Sequence, residues 1–160
     1  MKTISWSDDL SVGVHVIDAD HKFLIDLIKQ VNQEVAAPGS AKRIGGLLNA
    51  LYEYTDFHFI REEALMKACA YPGLADHRKV HEKLCARMEE IRDQHASAPS
   101  EAMSGEIQTF LNEWLTKHIM GHDKNYAPSM AGKELEIAQA HAPFLRHFSV
   151  AESAEATDSY

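Results

Sequence analysis

Apolar residues recur along this chain at alternating three- and four-residue steps, the period of an amphipathic α-helix, and no stretch alternates with the period of two that marks a strand. Ile17, His21, Leu24, Ile28 and Val31 share one face of a first helix expected over residues 17–36, which Pro38, Gly39 and Ser40 end. A second helix follows Ser40, with Ile44, Leu48, Leu51, Tyr54, His58, Glu62 and Leu65 on its stripe, and Tyr71, Pro72 and Gly73 close it. A third, over residues 75–95, carries His77, His81, Leu84, Met88 and Ile91. A fourth, from residue 101, carries Ile107, Leu111, Trp114 and His118 before it meets Gly121. Amphipathic helices joined by short loops predict an all-α, up-down-up-down four-helix bundle. Residues 1–16 read as an irregular N-terminal arm, with Trp6 as a packing anchor and a turn at Gly13. The expected bundle domain covers residues 1–131, and residues 132–160 form a C-terminal extension. In that extension a short helix is expected within 134–140, limited by Pro143, and then a disordered acidic tail over 149–160.

The inward stripe of an ordinary bundle is aliphatic, yet here every helix puts histidine on it. One inward imidazole is usually a core histidine bonded to a neighbour. Five together, His21, His58, His77, His81 and His118, with the carboxylate of Glu62 among them, demand a common partner. Residues four apart on a helix lie about 40° apart around its axis, so His58/Glu62 and His77/His81 each point as a pair from adjacent turns. Left unpartnered, these groups would cost several kcal/mol in desolvation and unmade hydrogen bonds. A metal satisfies them all, and mixed imidazole and carboxylate donors without thiolate suit iron, zinc, manganese or copper. The ligand count exceeds what one zinc ion takes, so two ions bridged by carboxylates are expected.

A second bridging carboxylate should come from the fourth helix, and the spacing there leaves two choices. His122, four beyond His118, would sit over it on a regular helix, whereas Asp123, five beyond, would be rotated about 140° away. Charge favours Asp123, since a sixth imidazole would leave two multivalent cations with a single anionic ligand, and Gly121 weakens the helix at that point. Spacing alone does not decide.

Composition narrows the partners. The 160 residues include ten histidines, and 24 Asp plus Glu against 16 Lys plus Arg give a formal charge of −8. Such a surface repels phosphate backbones, so nucleic acid is not an expected partner. No apolar run is long enough for stable membrane insertion, and the start lacks the apolar core of a signal peptide. Cys69 and Cys85 are the only thiols and read as small hydrophobes in a reducing, cytoplasmic setting.

The full constellation resembles the hemerythrin family, in its small single-domain bacterial form. The resemblance rests on His21 in Ile17-Asp18-Ala19-Asp20-His21, His58-x-x-x-Glu62, His77-x-x-x-His81 and His118-x-x-x-x-Asp123, in that order, and covers about residues 1–131. It implies two non-haem iron ions, cycling between Fe2+ and Fe3+, with a bridging oxo or hydroxo group. His77, His81 and His118 would hold one iron and His21 and His58 the other, with Glu62 and Asp123 between them; the family's five-step last motif selects Asp123. The second iron would keep an open position for dioxygen, in an oxygen pocket of Leu24, Phe59, Met66, Trp114, Leu115 and Ile119. Tyr126 also has a counterpart there. His15, His95, His122, His141 and His147 match no ligand position and are expected to be exposed or to lie behind the ligands.

The function implied is reversible oxygen binding by a monomer, for storage, transport or delivery to an oxygen-consuming enzyme, and not an enzyme activity beyond a weak peroxidase or oxidase side reaction. The alternatives are oxygen or redox sensing with a separate partner, and detoxification of peroxide or nitric oxide. The Glu-x-x-His pairs of carboxylate-rich ferroxidases are missing. An H-E-x-x-H protease helix at His81-Glu82 fails because Cys85 stands where the second histidine belongs.

Overall fold

The computed structural model describes residues 3–37 and 39–155, with 101, 102 and 146–155 described by backbone alone. Pro38 and residues 156–160 therefore lie outside the described residues, as does the side chain of His147. Helices account for nearly all of it: α1 (His15–Val35), α2 (Ala41–Ala68), α3 (Leu74–Ser97), α4 (Glu101–His118), α5 (Lys124–Met130) and α6 (Glu134–Glu155). No strand occurs among the described residues. The first four form the up-down-up-down bundle, since short connections leave consecutive helices no option but to pack antiparallel.

The apolar stripes meet as the period requires. Ile17, Leu24, Ile28 and Val31 of α1, Leu51 and Leu65 of α2, Ile91 of α3 and Ile107, Leu111 and Leu115 of α4 are buried in one core. Register between α1 and α4 is fixed by a polar lock inside that apolar seam. Asn32 Nδ2 donates to Asn112 Oδ1 at 3.0 Å, and Asn112 Nδ2 returns the bond at 3.2 Å. Sliding either helix by a turn would break both bonds between these half-buried amides, a cost of about 0.5–1.5 kcal/mol each.

The arm is ordered more tightly than its composition suggests. Ile4, Leu10, Val12 and Val14 are buried, the backbone N–H of Ile4 donates to Asn112 Oδ1, and Asp18 accepts from Val12 N and Ser11 Oγ. Trp6 is only half-buried and lies under the ammonium of Lys22, so those four aliphatic residues rather than the indole anchor the arm. Helix α1 accordingly begins two residues before the expected start.

The C-terminal extension departs further from the sequence reading. Helix α6 continues through Pro143 to Glu155 instead of stopping near residue 140, so the expected tail begins as helix. A proline inside a helix forfeits one backbone bond and crowds the preceding turn. Packing overrides that cost here: α6 lies on α2, with Ile137 and Ala140 against the core and Phe144 meeting the ring of Phe57.

The α2–α3 turn is a Schellman closure: Tyr71 N–H reaches Met66 O at 3.0 Å and Ala70 N–H reaches Lys67 O at 3.1 Å. The left-handed residue it needs is Ala70, at φ 56°, where glycine is the ordinary choice. Ala70→Gly should therefore raise stability by about 1 kcal/mol, moving the thermal midpoint up by about 2–4 °C. An unchanged or lowered midpoint in calorimetry would show that the turn carries no strain.

Candidate metal centre

Four helices and the turn after the fourth deliver the seven expected residues to one layer of the bundle, and all seven are buried: His21, His58, Glu62, His77, His81, His118 and Asp123. Glu62 Oε2 lies 3.1 Å from His81 Nε2 and 3.6 Å from His77 Nε2. Asp123 Oδ1 lies 3.0 Å from His118 Nε2 and 3.3 Å from His77 Nε2, and its Oδ2 lies 3.4 Å from His21 Nε2. Two groups of potential ligand atoms result, each mutually within 4.8 Å: Glu62 with His77, His81 and His118, and Glu62 with His21 and His58. Glu62 belongs to both, and Asp123 touches imidazoles of both.

Asp123 reaches the layer because the helix changes form. Residues Ile119–Asp123 make a π-helical turn between α4 and α5, and this wider turn inserts one residue, so the side chain five positions on comes round beneath His118. His122 is thereby turned out of the cluster: it is half-buried and belongs to neither group of ligand atoms. It lines a cleft of about 300 Å3 with Val80, Leu84, Phe110 and Trp114. An even α-helical register would have exchanged the two residues.

The site passes a direct test for a cation. His21 Nδ1 and Nε2, His58 Nε2, His77 Nε2, His118 Nδ1, Glu62 Oε2 and both carboxylate oxygens of Asp123 are buried without a hydrogen-bond partner. No Lys or Arg among the described residues pairs with either carboxylate. Burial and the charge of Asp123 push Glu62 toward protonation, but the imidazoles of His77, His81 and His58 outweigh them and hold it well below the usual carboxylate range. Burial likewise raises Asp123, and His118, His21 and His77 return it far below. Two buried carboxylates kept ionised by neutral-capable imidazoles form a donor set for multivalent cations. Both thiols lie outside it.

Around the donors sits a layer that the ligand motifs do not reveal. His58 Nδ1 donates to Asp20 Oδ2 at 3.0 Å, which fixes the tautomer and turns Nε2 inward. Asp20 is itself buried, and its other oxygen accepts from Tyr54 at 2.7 Å and from Arg61. His81 Nδ1 donates to Glu63 Oε1 at 2.8 Å, and Glu63 is held by Arg78. Tyr126, fully buried, donates its hydroxyl to Glu62 Oε1. A signal for Asp20 exists in its place directly before His21, on the helix face that turns toward α2; Glu63 carries none beyond adjacency to Glu62.

All six residues of the expected oxygen pocket, Leu24, Phe59, Met66, Trp114, Leu115 and Ile119, are buried in the core. Phe59 stacks flat on His81, with centroids 3.7 Å apart, and Trp114 lies 6.4 Å from His118. Among the non-ligand histidines, His15 is exposed and His122 and His141 are half-buried, but His95 is fully buried against Gly45, correcting the expectation for that residue. Its inward turn follows from its place on the α3 stripe, one turn beyond Ile91.

The family model for the hemerythrin HHE cation binding domain matches residues 12–130. A bacteriohemerythrin of Stenotrophomonas maltophilia is 34% identical over 88% of this chain and 90% of its own length. One of Pseudomonas aeruginosa is 30% identical over 87% and 89%. The crystal structure of wild-type hemerythrin covers 82% of this chain and all of its own with a TM-score of 0.72 at 24% identity, a likeness of fold. With seven donors converging in one buried layer and that match spanning the bundle, the chain belongs to the hemerythrin family, whose domain binds dioxygen at a non-haem di-iron centre.

Proposed function

We propose that this chain binds dioxygen reversibly, as a cytoplasmic monomer serving oxygen storage, transport or delivery to an oxygen-consuming enzyme. The observation that carries the reading is the uneven division of imidazoles about shared carboxylates: three on one side, His77, His81 and His118, and two on the other, His21 and His58. His77, His81 and His118 with the two carboxylates would nearly complete the shell of one ion, whereas His21 and His58 would leave its neighbour a position free for a ligand. When bound, the iron pair supplies that open position and the two electrons which dioxygen takes up and returns.

The protein's own groups then decide whether binding reverses. Asp20 and Glu63 hold His58 and His81 with Nε2 toward the centre, so neither of these two imidazoles has to turn on binding. Tyr126 occupies Glu62 Oε1, and burial with the charges of Glu62 and Asp123 pushes its phenol far above its ordinary value, so it stays a proton holder rather than a proton source. Leu24, Phe59, Met66, Trp114, Leu115 and Ile119 keep water and stray protons from the open side, which favours release of intact dioxygen over irreversible oxidation. The thiols of Cys69 and Cys85 are unpaired and pushed up by burial, in keeping with a reducing compartment. No helix of the described residues is long and apolar enough to cross a membrane.

Two measurements check this reading. Metal analysis should find about two iron per chain, and the reduced protein exposed to air should gain a visible ligand-to-iron absorption that fades when oxygen is removed. Irreversible bleaching with turnover on peroxide or nitric oxide would overturn oxygen carriage in favour of detoxification. His118→Ala should lower the iron content below about two and lower stability, because the remaining donors lose their cation; full retention of both irons would refute the ligand assignment.

The metal-free protein carries its own pH signature. Burial lowers His77, but Asp123 and Glu62 outweigh it and raise it to about 9. A histidine raised above its unfolded value of about 6.5 adds stability that is complete below that pH and lost as pH rises through about 9. Urea midpoints of metal-free protein should accordingly fall between pH 7 and about 10, and the metal-loaded protein, with His77 already neutral, should lack that fall.

A further inference from the structure

Helix α6 lies beyond the residues that the family match covers, and it is not laid on an indifferent face of the bundle. It packs along α2 where the outward side of the His58 turn comes to the surface. Phe144 of α6 meets the ring of Phe57 edge-on, with centroids 5.8 Å apart. The same Phe57 ring carries the guanidinium of Arg61, 4.7 Å from its centroid. Arg61 is 5% exposed and forms a buried ion pair with Asp20, and the opposite oxygen of Asp20 takes the Nδ1 proton of His58. An unbroken series of contacts thus runs from α6 to a residue of the centre: Phe144, Phe57, Arg61, Asp20, His58.

The order of these contacts has a chemical meaning. A carboxylate that accepts the Nδ1 proton of a ligating imidazole makes the other nitrogen a stronger donor, and it does so in proportion to the negative charge it keeps. Arg61 offsets the cost of burying that charge, and so keeps Asp20 ionised and oriented toward His58. Its hold depends on a dry, shaped environment, because a guanidinium in water gains little from one ion pair and its long stem samples many rotamers. The stacked Phe57 ring and the α6 face over it supply that environment. His141, also on α6, feels the charges of Arg61 and Asp20 and carries no formal charge against the guanidinium while neutral.

We infer that α6 is a clamp on the centre: by seating Phe144 against Phe57 it holds Arg61 on Asp20, and so sets the donor strength and orientation of His58, a positioning role confined to the ion that His21 and His58 would hold. The inference rests on the two-ion reading above. Its specificity is its main claim, since His77, His81 and His118 belong to elements that this series of contacts does not reach.

The test is a titration of the full-length, metal-free protein with Co(II), followed by the visible spectrum of the bound ions. Wild-type protein should take up two ions. Phe144→Ala should weaken one of the two affinities by about three- to tenfold and shift the spectrum of that ion, leaving the other unchanged; removal of partners behind metal ligands commonly costs about 10–100-fold. Arg61→Met should reproduce the same selective change. Phe144→Ala added to Arg61→Met should have little further effect, because both act through one series of contacts. Phe144→Leu, which keeps apolar bulk on Phe57, should restore most of the wild-type behaviour. Binding of fewer than two Co(II) ions by wild-type protein would sink the two-ion reading itself. With two ions bound, the clamp is overturned if neither affinity moves, if both move together with the thermal midpoint, or if the Phe144 and Arg61 effects simply add.

Discussion

Everything in this bundle is arranged around one electrostatic demand: two ionised carboxylates, Glu62 and Asp123, sit in a dry core with imidazoles as the close polar neighbours of their shared oxygens. An uncompensated buried carboxylate is among the costliest groups a protein can hold. Without metal, protonated histidine offsets part of that cost; a bound metal cation would offset more, and it needs neutral imidazoles aimed at it. Histidine on every inward stripe, helices antiparallel so that the ligating turns lie at one level, and an apolar layer sealing that level are all consequences of the same requirement. The Asn32/Asn112 lock has its place in this scheme, since a bundle that slips by one turn separates the donors.

Ligating atoms alone do not make such a centre; some of the groups behind them are held as well. Asp20 and Glu63 serve His58 and His81, and Tyr126 serves Glu62, each from a different direction. The two supporting carboxylates differ in setting. Glu63 is partly exposed and paired with the exposed Arg78, whereas Asp20 and Arg61 are enclosed. Solvent screens the first pair and leaves the second close to full strength. The two sides of the centre are therefore supported with unequal stiffness, on top of their unequal number of imidazoles.

The helices and their inward faces were readable from the sequence because a 3.6-residue period is a property of the chain itself. So were the paired grips on α2 and α3, since residues four apart share a face on any regular helix. The Asp123 position was not, because the π-helical turn at Ile119–Asp123 leaves no mark in composition beyond Gly121; only the family's five-step motif selected it. The full length of helix α6 failed to show for a different reason. Pro143 is an honest helix-breaking signal, and what overrides it, the fit of Phe144 on Phe57, is a contact between residues far apart in sequence. Asp20 stood beside His21 in plain view but acquires its role only when α2 places Tyr54, His58 and Arg61 around it.

Phe59 lies flat on His81, ring against ring, while Trp114 closes on it edgewise. A side chain gripped in that way is slow to swing out, and the other donors are buried as well, with His118 alone of the seven also lining the cleft beside His122. Ions held here would find stepwise escape through successive ligand dissociation slow. Their residence is then governed by how seldom the helices part, which makes retention of the centre a matter of the bundle's opening rate rather than of coordination affinity.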